Sequence, residues 1–248
     1  MIKPVYVKPD DEVTTVANIF SSRVVVKGKT WLPFSQIFTG LLMSYLALKR
    51  IPQRTLIQSL GIGAMAMPVV LGSEWGHNFA HATAAHCVGK PVDAIRIVWG
   101  MPILVYYDVN DQQVAPRQHI IRALGGPLFN MLLLPFALLA KRISKESSAM
   151  RDIANAATAT NAFIVFGGLL PIPIIDGGAI LKWSLVETGH SIPEADITVR
   201  KVNGMLGIGL VAATIETAKK KRWIWSVICA MFAVSALGVA LGILKEQE

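Results

Sequence analysis

The chain has 248 residues, of which 53% are hydrophobic and only 16% charged, against about 25% charged in a soluble domain. A mean hydropathy of +0.50, with long apolar runs alternating with short charged patches, excludes an ordinary soluble globular protein and points to an integral, multi-pass membrane protein. The net charge of +8 lies in loops that lack interleaved aromatic and basic residues, so nucleic acid is excluded as a partner and the lipid bilayer is the implied one.

Residues 1–30 read as a small polar cap. "VYV" and "RVVVKGK" have the β-branched composition of short strands, with "DDEVTTVANIFSS" as a helix between them. Asp10, Asp11 and Glu12 precede any long apolar run, which does not fit a cleavable leader. The first span is 31–48, ended by Lys49, Arg50 and Pro52, so that 31–54 makes one span and its loop. The second runs from Thr55 to Val88. It is too long for one straight crossing, and Pro68 with Gly72 predicts a kink.

The segment 92–109 is rich in β-branched and aromatic residues around "WGMP" and predicts a hairpin. A third span covers 119–140, followed by a loop with Lys141, Arg142, Lys145 and Arg151. The fourth, 153–185, is broken by Pro171, Pro173 and the pair Gly177–Gly178. Spans at 203–218 and 223–243 flank "KKKR" and form a C-terminal part, 186–248. The expected fold is an all-α polytopic membrane protein of about six transmembrane helices, with a small β-hairpin between the second and third. Lys and Arg are shared almost evenly between alternate loops, so the positive-inside rule does not orient it. Trp31, Trp223 and Trp225 read as interface anchors. Cys87 and Cys229 both sit in apolar segments outside any CxxC and read as buried free thiols.

Ionisable groups at membrane depth cost roughly 2.5–3.5 kcal/mol each on insertion scales, so those present mark function. They are Glu74, His77, His81, His86 and Asp176, with Asn78 and Asn130 as polar neighbours. His77 and His81 share one helix face one turn apart, a spacing that suits a metal ion. Asp176 is the best third donor. It stands in "PIPIIDGG", whose prolines break the helix, and irregular backbone at that depth survives only when buried in protein or lining a wet cavity. Two His, one Asp and a water make an open tetrahedral zinc site. The same residues also fit two histidines hydrogen-bonded inside a bundle, or a metal or ion transporter whose midplane His and Asp line a pathway. No inverted repeat supports the transporter. A di-iron oxygenase needs several histidine boxes, and the chain has five histidines in all. His86 lies about 140° round the helix from His81 and reads as a bundle or interface histidine. His119 and His190 sit near loops and look incidental. Gly125 and Gly126 form a small-residue face for close helix packing.

Three segments resemble one family, and in its order. "HNFAHATAAHCVGKPVD" resembles the zinc-binding segment of the site-2 proteases, "ALGGPLFNMLL" their third-span pattern, and "LLPIPIIDGGAILKW" their third-ligand segment. Together they make 55–185 a core of three spans and the hairpin. The resemblance implies an intramembrane metalloprotease fold with one zinc on His77, His81 and Asp176. It implies that Asn130 helps hold a substrate strand, and that the hairpin is the edge on which an unwound transmembrane segment pairs.

The departure is at the catalytic position. The family's Glu follows the first histidine, and here that residue is Asn78, which cannot take a proton from bound water. A positioned base contributes typically 10²–10⁴-fold, so the resemblance implies a weakly active enzyme or a pseudoprotease, acting alone or beside an active relative. Glu74, one turn before Asn78, is a possible displaced base and would make the protein an active protease instead.

Overall fold

The structure is a computed structural model that describes residues 7–244. The chain forms two compact units. The first takes residues up to Tyr107 together with Leu124–Gly167, the second Asp108–Ala123 together with the chain from Gly168 onward.

The first unit opens with a hairpin of β1 (Thr14–Ile19) and β2 (Ser22–Val26). This corrects the helix expected over 10–22. Val13, Thr14, Thr15, Val16 and Ile19 are poor helix formers, and Phe20 and Ser21 both adopt positive φ, 49° and 63°, the backbone of a two-residue hairpin turn. Of "VYV", only Val7 falls within the described residues. The hairpin expected at 92–109 is present as β3 (Ala94–Val98) and β4 (Met101–Val105), turning on Trp99 and Gly100 at φ 54° and 84°. It does not stand alone. β2 and β3 pair in parallel, Val24 opposite Ile95, so the N-terminal segment and the hairpin make one four-stranded sheet in the order β1-β2-β3-β4. Val24 and Ile95 pack with Ala82 and Ala85, which seats the sheet on the last turns of the second helix.

That unit also holds α1 (Phe34–Arg50) and α2 (Leu56–Cys87). Thr55 and Gln58 form a capping box at the start of α2, and Pro68 lies inside it. At 1.5 Å per residue its 32 residues span about 48 Å. α1 and α2 meet on small residues: a Cβ on Gly63 would come within 2.0 Å of Ser44 Oγ and 2.4 Å of the Gly40 carbonyl. α3 (Pro116–Ile143) contains the boundary between the units. α4 (Ala149–Gly168) is tied to the end of α1 and the loop after it through Asp152, whose carboxylate takes Arg50 Nε at 2.5 Å and Arg54 Nη1 at 2.6 Å.

In the second unit the fourth run is broken at its prolines, as expected, while Gly177 and Gly178 lie inside the helix that follows. α4 stops at Gly168, the proline-bearing segment 169–175 is irregular, and α5 (Asp176–Glu187) begins anew. α6 (Ile192–Lys219) and α7 (Trp223–Ala240) pack together across a short turn in which Lys221 has φ 54°. Ile172 from the irregular segment packs with Ala236 and Val239 of α7, and Asn203 donates to the Pro171 carbonyl at 2.6 Å. Among the described residues, α2, α3 and α7 are long and apolar enough to cross a membrane. Leu132 and Phe136 on α3 and Ile224 and Val234 on α7 are largely exposed, as lipid-facing side chains are. Cys87 is exposed rather than buried, because it ends α2; both cysteines are free.

Candidate functional site

His77 and His81 occupy successive turns of α2, and their Nε2 atoms lie 3.0 Å apart. The rings meet edge to face at 86°, and the side chains are only 9% and 4% exposed. α3 makes this burial possible. A Cβ on Gly126 would lie 2.3 Å from His81 Nε2 and 2.4 Å from His77 Cε1, and one on Gly125 would lie 2.6 Å from the Ala80 carbonyl. Only glycine lets the α3 backbone lie against the two imidazoles. This is the small-residue packing role expected for the pair.

Asn130 sits one turn further along α3 and is fully buried. Its Oδ1 is 2.8 Å from His77 Nδ1. Its Nδ2 donates to Asn161 Oδ1 at 2.8 Å and to the Ser73 carbonyl at 3.4 Å. With Nδ2 committed to acceptors, Oδ1 faces His77, and Nδ1 is the ring atom that carries the proton. His77 Nε2 therefore presents its lone pair toward His81. His81 Nδ1 accepts from the Gly126 N–H at 3.3 Å, so in the neutral ring its own proton lies on Nε2. A metal ion held by both Nε2 atoms displaces that proton. A tetrahedral ion with bonds of about 2.0–2.1 Å sets two nitrogens roughly 3.3 Å apart. The observed 3.0 Å is within a few tenths of an ångström of that separation, and the pair fits such an ion.

Asn78 is half-buried and donates from Nδ2 to the Glu74 carbonyl at 3.0 Å. Glu74 is half-buried on the same helix, one turn earlier. His86, expected to be a bundle or interface histidine, is exposed, with its ring 6.4 Å from Phe20. His190 is exposed in the turn after α5. Nothing in the sequence singles out Asn161 or Ser73; each is a lone polar residue in an apolar helix, with no periodicity to mark it.

Asp176 belongs to the second unit. It is the first residue of α5, half-buried, with its carboxylate near Gly168. A helix N-terminus favours a negative charge. The following glycines are required by close approach: a Cβ on Gly177 would lie 2.3 Å from the carbonyl oxygens of Leu169 and Leu170, and one on Gly178 2.3 Å from the Ile172 carbonyl. α5 is anchored by Lys182 and Trp183. Lys182 is 2% exposed and reaches Asn110 Oδ1 at 2.7 Å and Asp196 Oδ1 at 2.8 Å. Trp183 stacks on His119 at 3.7 Å and 2°. His119, which looks incidental in the sequence, is thus a buried packing partner. Lys182 is an ionisable group inside an apolar run, and the rule that marks Asp176 marks it too.

A search of solved structures finds a site-2 protease from Methanocaldococcus jannaschii, with a TM-score of 0.52 and 12% sequence identity over 96% of this chain and 98% of that one. What the two share at that identity is the fold. No family model matches the sequence, and no curated protein does.

Proposed function

We propose that the chain is a multi-pass membrane protein of the site-2 protease family, with one zinc on His77, His81 and Asp176, acting on or binding transmembrane segments. The observation that carries this reading is the convergence of the two buried Nε2 atoms, backed by Asn130, in a chain that shares the fold of a site-2 protease. His77, His81 and Asp176 make a donor set that could hold a metal ion. A zinc bound there would polarise a peptide carbonyl and lower the pKa of a bound water to about 7.

The remaining roles fall to the chain's own residues. Asn130 serves His77 first, since its amide is engaged by His77, Asn161 and Ser73. The burial of both histidines limits water. β4 ends the sheet, so its outer edge offers backbone groups to an unwound substrate segment. Asn78 has no basic lone pair and cannot move the proton that hydrolysis requires. The protein is therefore weakly active or a pseudoprotease, which captures transmembrane segments alone or alongside an active relative.

The test is zinc stoichiometry by elemental analysis of detergent-purified protein, beside His77→Ala and Asp176→Ala. Near one zinc per chain, lost in both variants, is the expected result. A protein that takes up no zinc even when refilled and dialysed overturns the metal reading.

A further inference from the structure

We propose that Asn161 on α4 is a positioning residue that fixes the tautomer of His77 through Asn130, keeping the ring proton on Nδ1. This deepens the metal-site reading and rests on it for one of its two readouts.

The inference starts from what each polar atom can do. An asparagine amide can turn end for end at almost no steric cost, since its oxygen and nitrogen are nearly the same size. If Asn130 turned, its NH₂ would donate to His77 Nδ1, the ring proton would move to Nε2, and the metal-facing nitrogen would lose its lone pair. Something must hold the amide one way round. The Ser73 carbonyl, 3.4 Å from Asn130 Nδ2, can only accept, but at that distance it is a weak restraint. The short contact is from Asn130 Nδ2 to Asn161 Oδ1, 2.8 Å.

Asn161 could turn as well, and its own surroundings prevent it. Its Nδ2 lies 2.8 Å from the Ala157 carbonyl, which can only accept. The same Nδ2 lies 3.1 Å from Ser73 Oγ, whose hydroxyl is already spent donating to the Val69 carbonyl at 3.0 Å. The order therefore runs one way, from a backbone carbonyl on α4, through two amides, to one ring nitrogen on α2. Asn130 is 0% exposed and Asn161 2%, so water does not substitute for either amide.

The test is a mutant cycle on the full chain in detergent. Asn161→Leu removes the acceptor that holds Asn130. Asn130→Asp replaces the amide with a carboxylate, which accepts whichever way it turns and needs no holding. Zinc affinity is read by competition with a chromophoric chelator. Asn161→Leu is expected to weaken binding by about 10–100-fold, as loss of an outer partner of a metal histidine does. In the Asn130→Asp background the same change is expected to cost no more than about twofold, because no amide is left to turn. Equal losses in the two backgrounds would mean that Asn161 only packs, and overturn the proposal.

The second readout needs no metal. Ring ¹⁵N NMR of histidine-labelled, metal-free His81→Ala protein reports the His77 tautomer with its Nε2 neighbour removed. The proton is expected on Nδ1, and is expected to redistribute to Nε2 when Asn161→Leu is added. A proton on Nε2 before that addition, or on Nδ1 after it, overturns the proposal. A chain that binds no zinc but shows the shift would remove the metal reading and keep the relay.

Discussion

The side-chain amide of Asn78 donates to the backbone carbonyl of Glu74 at 3.0 Å. A glutamate in its place could not make that bond, because an ionised carboxylate only accepts. It would be repelled by the carbonyl and would turn off the helix. Asn78→Glu is therefore predicted to supply the missing base. Cleavage of a transmembrane model substrate in proteoliposomes should rise by at least about 10²-fold over the unmodified chain, while Asn78→Gln, which keeps the amide, should leave it unchanged. Equal turnover in the unmodified chain and Asn78→Glu, abolished by Glu74→Gln, would assign the base to Glu74 instead.

The glycines separate close approach from mere helix content. Gly126→Ala places a methyl 2.3 Å from His81 Nε2, and is predicted to destabilise by roughly 1–3 kcal/mol, as overpacking does, with loss of zinc. Gly61, on the same helix as the histidines, has open space where a methyl would stand, with nothing within 4 Å. Gly61→Ala should stabilise by about 0.4–1 kcal/mol through the unfolded chain. Thermal unfolding of both variants in one detergent checks the sign. A tolerated Gly126→Ala would mean that α3 does not lie against the imidazoles.

The histidine pair is legible in the sequence because its geometry is local: four residues on one helix fix which side chains share a face. The hairpin at 92–109 is legible for the same reason, in its β-branched flanks and its Trp-Gly turn. The strand β1 is not. Its residues are mostly exposed, so no apolar alternation marks it, and its place in the sheet depends on the parallel pairing of β2 with β3, some seventy residues on. Asn161 is equally hidden, since its partner Asn130 is distant in sequence, whereas Lys182 is marked by its charge inside an apolar run and only its partner Asn110 is hidden. His119 looks incidental because nothing near it announces Trp183, the ring on which it stacks. Asn78 and Asp176 draw notice through the resemblance as much as through any local rule.

Trp183 bears on the segment that ends at Asp176. It is 3% exposed and, with Lys182, secures α5 seven residues after the helix begins. Trp183→Ala is predicted to cost about 3–5 kcal/mol. Trp183→Phe keeps a ring against His119 and should cost appreciably less. If α5 sets the position of Asp176, zinc content should follow the same order, with Trp183→Phe retaining more metal than Trp183→Ala at a temperature where both are folded. Identical zinc content in the two would separate the anchor from the ligand.

Asp152 gives a pH signature away from the histidines. It lies in the first turn of α4. Burial alone would raise its carboxyl, but the hydrogen bonds from Arg50 and Arg54 outweigh that and hold it below the usual carboxylate range. A folded-state value below the unfolded one contributes stability that is fully present above the unfolded value and lost as pH falls through the folded one. At pH 7 Asp152→Asn, which leaves two guanidinium groups without their carboxylate, should therefore cost about 3 kcal/mol, as loss of one partner of a buried pair does. The difference in thermal midpoint between the two proteins should hold from pH 7 down to about pH 4 and then narrow as the wild-type carboxylate takes up its proton. Arg54→Met should narrow the gap in the same way, because it removes one of the two cations that depress the carboxyl. A difference that stays constant from pH 7 to pH 3 would show that Asp152 acts through shape and not through its charge.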